Sequence, residues 1–459
     1  MRGSMIRSRL ALPWSALLAA LIVAGLAGCA AGTPRPAPAP TAAQAVAAPP
    51  AAAAAPLRAV LFGYIPDSAK DKLQALRHAL TERFQAAHPR VSLTVTIDSN
   101  LDLYDFKPGG ELGTLLGSGA GAVDVVEVDT LLLGALVDSG WVQPLATDNR
   151  EVVPAAQAAA VVGGKVYGVP TYLCSNVIYA HDGGLAAVQD GPALLRFLSA
   201  LPARTPLVGT YHGSFTVPSV YLDAWADTNG ASGLAGAYLP PVDGKTMGSL
   251  APLVASCASG GKNPCLDKTY ADGTGAESAF ATGQANGFFG YTERLFYILD
   301  AAPSQPLPSV ISAPLGLGSH PVMFVDALVV NPHCTGPCLV NAMQFIDFMS
   351  QLGTRNLIAF SQDSPAPTFP RYLLQARTDF YQDALARNDP FYPSFWQIVR
   401  AAVAFPNQGF TADYLTLGPA VLQALGSSSA ARQGPPSVRQ PGAWPGAAAA
   451  GGRAASASP

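Results

Sequence analysis

A single cysteine, Cys174, lies within the apolar stretch VYGVPTYLCSNVIYA (166–180), which predicts a buried β-strand. The chain contains six cysteines, and nearby cysteines in an exported protein are expected to pair. Short loops separate two candidate disulfide pairs, Cys257 with Cys265 and Cys334 with Cys338. A further cysteine, Cys29, ends a signal-like segment. Cys174 is therefore left over, and parity alone does not decide between a reactive thiol and a small core residue.

Three acidic residues, Asp129, Glu293 and Asp326, fall within or at the ends of predicted strands. A carboxylate in an apolar strand is costly unless it is paired or hydrogen-bonded, so such residues often mark a ligand site. Structural roles remain open as alternatives. Asp129 precedes TLLL and could cap a helix, and Glu293 could be an acid at a helix N-terminus. Asp326 lies in mid-strand, where a purely structural role is harder to assign.

A reactive thiol needs a base that ionises it. The next histidine, His181, lies seven residues along the same extended run, more than about 20 Å away at ~3.3 Å per residue. The other histidines fall in predicted helix, linker or loop segments. A carboxylate with a pKa raised by burial is therefore the better candidate for the base.

The elements that must position these residues alternate between strands and helices. LRAVLFGYIPD (57–67), VSLTVTID (91–98) and DVVEVDT (124–130) predict strands, and the segment DSAKDKLQALRHALTERFQAAHP between the first two predicts a helix. This order predicts a parallel, doubly wound α/β lobe whose ligands lie beyond the carboxyl ends of the strands. Residues 57–426 are long enough for two lobes.

We predict a two-lobed α/β fold of the periplasmic-binding-protein type II class with an interlobe cleft. The first lobe comprises residues 57–175 and 330–426, and the second comprises residues 180–325. GQANGFFGYTERL (283–295) and HPVMFVDALVVNP (320–332) are read as strands that carry Glu293 and Asp326.

The two ends of the chain differ in composition from this core. Residues 1–29 have the layout of an export signal, with an apolar run that ends in LAGC (26–29). That ending resembles a bacterial lipobox, in which Cys29 would carry the lipid that anchors the protein to a membrane. The alternative is an ordinary secretory signal. Residues 30–56 predict a Pro/Ala-rich tether and residues 427–459 a disordered tail.

A net charge of −3 and only 12% charged residues give no indication of a nucleic-acid partner. We expect an exported monomer, held in the cell envelope by a lipid on Cys29 or secreted.

Several stretches, in order and with their spacing, make the chain resemble bacterial thiaminase I (thiamine pyridinylase) from Leu57 to about Gly418. They are LFGYIPD (61–67), DVVEVDTLLLGALVDSGWVQPL (124–145), VYGVPTYLCSN (166–176), YLDAWADTNG (221–230), GFFGYTE (287–293), MFVDALVVN (323–331) and FPRYLLQAR (369–377). That family is similar in fold to periplasmic solute-binding proteins.

The resemblance implies a role for each matching residue. Cys174 falls on the nucleophile and Glu293 on the acid that deprotonates it. The positions implied to contact the substrate are Asp129, Asp326, Tyr64, Tyr104, Tyr270, Tyr291 and Phe324, the last standing where the family has a tyrosine. The implied partners are thiamine and a second nucleophile such as a pyridine, an aromatic amine or a thiol, with no cofactor and no metal.

Two other functions remain open. A lipid-anchored solute-binding protein for thiamine or another cation suits the fold, the anchor and an acidic, aromatic cleft equally well. From the residues alone this function is favoured, and the resemblance shifts the balance to the enzyme because a transport component needs no nucleophile. A cysteine hydrolase acting on acyl groups is weakened by the lack of a placed histidine.

Overall fold

The computed structural model describes residues 54–430 except 108, 120, 148, 150, 212–215, 240, 271–272 and 408–410. The signal-like segment with Cys29, most of the tether, and the tail beyond residue 430 lie outside the described residues. Within the described part, no helix is both long and apolar enough to cross a membrane.

The strands of the described residues are, in chain order, β1 (Ala55–Leu61), β2 (Val91–Ile97), β3 (Val125–Asp129), β4 (Val161–Val162), β5 (Lys165–Val166), β6 (Val169–Cys174), β7 (Asn176–Ala180), β8 (Thr205–Gly209), β9 (Ala285–Tyr291), β10 (Ser309–Ser312), β11 (Val322–Val330), β12 (Leu374–Gln375) and β13 (Val403–Ala404).

The α-helices are α1 (Gln74–Ala87), α2 (Glu111–Leu116), α3 (Leu133–Asp138), α4 (Pro154–Ala159), α5 (Gly191–Ala200), α6 (Thr216–Asn229), α7 (Gly244–Ala255), α8 (Gly275–Ala281), α9 (Arg294–Ala301), α10 (Pro337–Ser350), α11 (Leu352–Ala359), α12 (Ala384–Asn388), α13 (Tyr392–Ala401) and α14 (Thr411–Ala430).

Two sheets organise the two lobes. The first has the strand order β12-β6-β11-β3-β1-β2, with β13 paired to β11, and the second has the order β10-β7-β9-β8. The chain passes from the first sheet to the second between β6 and β7, where Ser175 alone separates the two strands. It returns through residues 313–321, which lead from β10 into β11. The predicted two-lobed α/β architecture is confirmed.

The first sheet is mixed, which corrects the expectation of a parallel sheet. Strand β1 runs parallel to β2 and β3, whereas β11 is antiparallel to both β3 and β6. The cause is the crossover, because β11 enters the first sheet from the second lobe. Every residue of β11 is buried, as expected for a central strand that is covered on both faces.

Helix α1 begins later than the sequence pattern indicates. Lys70, Lys72 and Leu73 have positive φ angles between 56° and 61°, a left-handed backbone conformation that cannot continue an α-helix. The carboxylate of Asp71 then accepts hydrogen bonds from the amides of Gln74 and Ala75 at 2.8 and 2.9 Å. These bonds satisfy the free N–H groups of the first turn.

The C-terminal helix departs from the predicted lobe boundaries. Helix α14 packs against α6 and α7 of the second lobe, although residues 330–426 are predicted to lie in the first. Its buried side chains Leu417, Val421 and Leu425 repeat every four residues and belong to a core cluster that includes Val220 of α6 and Leu250 of α7. The helix also runs to Ala430, past the predicted start of the tail at residue 427.

Candidate active site

Cys174 is the last residue of β6 and lies where the chain leaves the first sheet. It is partly buried and is the free cysteine of the described residues. The two predicted pairs, Cys257 with Cys265 and Cys334 with Cys338, are disulfide-bonded. Because the strand ends at the crossover, the thiol lies at the edge of the first sheet that faces the second lobe.

Two carboxylates lie near this cysteine, one on the neighbouring strand β11 and one on β3, the next strand of the sheet. Asp129 at the end of β3 and Asp326 in β11 are directly opposed across the antiparallel ladder. The hydroxyl of Tyr64 donates a hydrogen bond to Asp326, and the hydroxyl of Tyr104 donates one to Asp129 at 3.3 Å. Asp129 also accepts a hydrogen bond from the amide of Leu131 at 2.9 Å. It therefore caps the following helical turn and lies beside Asp326 at the same time.

Glu293 reaches the site from the second lobe. It follows β9 and immediately precedes α9, and only 7% of its surface is exposed. Tyr291, two residues earlier, lies within hydrogen-bonding distance of Ser219, with 2.8 Å between their hydroxyl oxygens. The negative charge of Glu293 acts on both Cys174 and Tyr291. The second lobe therefore contributes an acidic group that acts on the thiol of the first lobe.

Burial controls the ionisation of these groups. It raises the pKa of the Cys174 thiol well above its ordinary value, and Asp326, Glu293 and Asp129 raise it further, while a hydrogen bond with Tyr64 lowers it. The resting group is thus a neutral thiol. Burial also raises the pKa of Glu293 to about 7, close to the value that suits a general base at neutral pH.

The two opposed aspartates differ in ionisation. Burial raises the pKa of Asp129 to about 6, against hydrogen bonds from Leu131 and Tyr104 that lower it. The pKa of Asp326 is raised well above its ordinary value by burial and then by the charge of Asp129. Two carboxylates opposed across one ladder do not both ionise readily, and the pKa of Asp326 is the more strongly raised of the two.

Two of the aromatic residues predicted to contact the substrate, Phe324 and Tyr270, make their contacts away from the carboxylates of the site. Phe324 is the cross-strand partner of Cys174, but its ring is buried and stacks on Phe405 with a centroid distance of 4.8 Å. Tyr270 ends a short 3₁₀ turn, and its carbonyl accepts a hydrogen bond from Thr210 at 3.2 Å. The charge that acts on its hydroxyl is Asp267, and no contact within the described residues joins it to Cys174.

The nearest histidine in sequence lies outside this group. The ring of His181 stacks on Phe280 with a centroid distance of 4.4 Å. Burial lowers its pKa, and its backbone follows β7 in the second sheet.

Sequence reasoning missed a fourth buried carboxylate, Glu127. It lies two residues before Asp129 in the fully buried strand β3, and its side chain accepts a hydrogen bond from the amide of Phe62 at 3.1 Å. The spacing was available as a signal, since residues i and i+2 of a strand share a face. Thr171, which contacts Glu127, was missed as well, and nothing in the apolar pattern of β6 singled it out.

One group of three potential metal ligands occurs among the described residues, formed by Asp124, Cys334 and Cys338. Its two cysteines are joined in a disulfide, and a disulfide provides no thiolate ligand. The group is therefore unsuited to hold a metal ion.

Comparison with known proteins agrees with this architecture. Residues 109–386 match the family described as bacterial extracellular solute-binding protein, and this segment is more than half of the chain. Thiaminase-1 of Paenibacillus thiaminolyticus is 26% identical over 362 residues, which cover 75% of this chain and 81% of that protein.

Two solved structures show the same fold. Thiaminase I from Bacillus thiaminolyticus superposes with a TM-score of 0.62 at 24% identity, over 81% of this chain and 100% of that chain. Clostridium botulinum thiaminase I in complex with thiamin superposes with a TM-score of 0.64 at 19% identity, over 81% of this chain and 99% of that chain. The resemblance to thiaminase I is confirmed.

Proposed function

The chain belongs to the bacterial extracellular solute-binding protein family, and we propose that within this fold it degrades thiamine. A second nucleophile displaces the thiazole of thiamine through a transient bond between Cys174 and the pyrimidine. The observation that carries this proposal is a free cysteine, Cys174, on which the charge of a buried glutamate acts, together with the pKa of about 7 of that glutamate, Glu293. Similarity to a curated thiaminase supports the choice of substrate.

The first step is ionisation of the thiol. Because burial and three carboxylates oppose a free thiolate, Cys174 is a poor nucleophile until a base accepts its proton. Glu293 is that base, since it acts electrostatically on the thiol and its pKa lies near neutrality. Proton transfer to Glu293 also removes one of the negative charges that oppose the thiolate.

The second step is addition and elimination. The sulfur of Cys174 forms a bond to carbon 6 of the pyrimidine, and the electron pair of the attacked double bond moves into the ring. That pair then expels the thiazolium, whose bond to the methylene breaks with both electrons passing to the thiazole nitrogen. The second nucleophile next bonds to the methylene, electrons return through the ring, and the thiolate leaves. Two easier steps thus replace one difficult displacement.

The opposed aspartates have separate roles in this scheme. Asp326, the carboxyl that retains a proton, donates a hydrogen bond to a pyrimidine nitrogen and makes the ring a better acceptor of electrons. Asp129, with a pKa of about 6, is largely ionised at neutral pH and attracts the cationic substrate. Three tyrosines, Tyr64, Tyr104 and Tyr291, offer aromatic faces that can stack on the rings of thiamine and hydroxyls that can hydrogen-bond to it.

A binding function alone accounts for less of this site. A solute-binding protein shares the fold and can share the carboxylates and aromatic rings. It has no use for a thiol next to a base with a pKa near neutrality, and such perturbed groups concentrate where chemistry occurs.

Incubation of the purified chain with thiamine, with and without pyridine, tests the proposal. We expect mass spectrometry to detect a pyrimidinylmethyl-pyridinium ion only when pyridine is added, together with free thiazole. The Cys174→Ser variant is the control and should yield neither product. Tight binding of thiamine without cleavage by the unmodified chain would refute the enzyme and favour the transport component.

Membership of an extracellular family agrees with the predicted export. We propose in addition that Cys29 carries a lipid anchor and that the protein acts as a monomer. Metabolic labelling with a fatty-acid analogue, compared between the natural chain and Cys29→Ala, tests the anchor.

A further inference from the structure

A β-bulge lies immediately behind the candidate active site. Strands β6 and β11 pair regularly at Phe324 and Val325, and the register then shifts before Ala327. Asp326 consequently faces two residues of β6, Thr171 and Tyr172. Bulges of this kind redirect a side chain and are frequent near active sites.

The bulge brings the hydroxyl of Thr171 between two acceptors. Its Oγ1 atom lies 2.5 Å from Oε1 of Glu127 and 3.1 Å from the backbone carbonyl oxygen of Asp326. All three residues are buried, with at most 4% of their surface exposed. The other carboxyl oxygen of Glu127 accepts a hydrogen bond from the amide of Phe62.

A hydroxyl group has one hydrogen and can fully satisfy only one of these two acceptors. Both contacts are hydrogen bonds if Oε1 of Glu127 carries a proton and donates it to Thr171, which then donates its own hydrogen to the carbonyl of Asp326. We propose that Glu127 is a neutral carboxylic acid and that, through Thr171, it positions Asp326. Glu127 is then a positioning residue and not a catalytic one.

The surroundings of Glu127 support a neutral group. Four titratable or charged residues interact electrostatically with Glu127: Asp326 of β11, Tyr172 of β6, Tyr64 of the loop after β1, and Arg355 of α11. Asp129 lies two residues further along β3, on the same face of the strand. Burial is the largest influence and raises the pKa of Glu127, whereas the hydrogen bonds with Thr171 and Phe62, and after them the charge of Arg355, lower it.

Arg355 does not pair directly with this carboxyl. The guanidinium is fully buried, and within the described residues no hydrogen bond or ion pair joins it to Glu127. Its central carbon lies over the ring of Tyr172, 5.1 Å from the centroid. A positive charge that stays out of contact leaves burial as the dominant influence on Glu127.

The proposal predicts an unusual tolerance at residue 127. In Glu127→Gln the amide nitrogen can donate to Thr171 and the amide oxygen can accept from Phe62, so the variant reproduces every hydrogen bond of the neutral acid. An ionised Glu127 could not be replaced in this way, because glutamine would remove a charge and add a donor.

The pH dependence of unfolding tests the proton directly and needs no substrate. A carboxyl that keeps its proton on folding binds more protons in the folded chain than in the unfolded one, so its contribution to stability falls as pH rises above about 4.3. Glutamine does not titrate. We therefore expect the unfolding equilibrium constant of the natural chain, divided by that of Glu127→Gln, to rise by up to about tenfold per pH unit between about pH 5 and about pH 8.

A ratio that falls, stays constant or stops rising below about pH 7 would overturn the proposal. Glu277→Gln is the matched control, because Glu277 is equally buried but accepts a hydrogen bond from Arg294. That variant should not stabilise the chain at alkaline pH.

The effect on thiamine cleavage rests on the proposed function. We expect Glu127→Gln to keep kcat/KM within about twofold, and Thr171→Val to lose about tenfold, chiefly in kcat. Thr171→Ser restores the hydroxyl and should restore kcat. If serine does not rescue the loss, the positioning role is wrong. If the natural chain itself does not cleave thiamine, the proposed function is wrong, whereas the stability ratio still tests the protonation of Glu127.

Discussion

Two sets of buried carboxylates, one in helix α6 and one in the candidate active site, differ in what satisfies them. In α6, Asp227 accepts hydrogen bonds from the amides of Leu315 at 2.8 Å, Gly316 at 3.2 Å and His320. Asp223 accepts from the amide of Val322 at 3.1 Å and from the side chain of Asn176. All of these donors lie in or next to the two segments that connect the lobes.

The carboxylates of the site have few backbone donors. Asp326 accepts from Tyr64 and is opposed by another acid, while Asp129 accepts from one amide and from Tyr104. The lesson of the comparison is that burial alone does not identify a functional acid. Asp227, which accepts from three backbone amides, fixes the fold, whereas Asp326, which accepts from a side-chain hydroxyl and is opposed by another acid, retains capacity for a ligand.

The largest effect is expected from Cys174→Ser. The substitution removes the nucleophile, so thiamine cleavage should fall by at least about a thousandfold. Thermal unfolding should change little, because serine is close to cysteine in size and its hydroxyl can keep the hydrogen bond with Tyr64. A variant that retains substantial activity would show that the site works without the sulfur, and the assignment of chemistry to this region would fail.

The next effect is expected from Glu293→Gln, which keeps the shape of the base but cannot accept a proton. We expect cleavage, and alkylation of Cys174 by a pyrimidine-based inactivator, to slow by about a hundredfold. Stopped-flow or quench measurements of alkylation isolate this step from product release. An unchanged alkylation rate would assign the base to another group.

The pH profile should report the same base. Glu293 accepts a proton only in its ionised form, and its pKa is about 7. Activity should therefore be half-maximal near that pH and fall as the pH is lowered, approaching tenfold per unit. Measurement of kcat/KM across this range gives the titration, and a profile that stays flat through neutrality contradicts the assignment.

The smallest and most discriminating effects are expected when one acid of each set is replaced by asparagine. Asp227→Asn should lower the free energy of unfolding by about 2 kcal/mol, because it weakens buried hydrogen bonds, yet leave kcat within about twofold. Asp326→Asn should do the reverse and lower kcat several-fold with little loss of stability. Urea unfolding and steady-state kinetics on both variants check this. If the two variants lose stability and kcat to the same extent, Asp227 and Asp326 do not differ in role.

Much of the fold was predictable because apolar periodicity identifies elements. Strand β2 alternates between buried and exposed residues, and Leu76, Leu80 and Phe84 of α1 recur every four residues. The direction of β11 was not predictable, since periodicity carries no information on which lobe a strand enters from. The start of α1 was missed because positive φ angles at lysine and leucine leave no trace in composition.

The site was predictable where chemistry and spacing coincide. A leftover cysteine and acids in apolar strands indicated Cys174, Asp326 and Glu293. Glu127 and Thr171 depend on a bulge that brings together residues 44 positions apart, and a single strand pattern cannot reveal such a contact. The departure of Tyr270 from the group reflects the path of a loop, which alternating or helical periodicity does not specify.

The central claim is that the sulfur of Cys174 bonds to the pyrimidine. Mass spectrometry of the intact chain and of its peptides after treatment with a pyrimidine-based inactivator tests it most directly. We predict one added pyrimidinylmethyl group per chain, located on the peptide that contains Cys174, and none on the Cys174→Ser variant. An adduct on another residue, or turnover of thiamine by a chain whose Cys174 is permanently blocked, would contradict the claim.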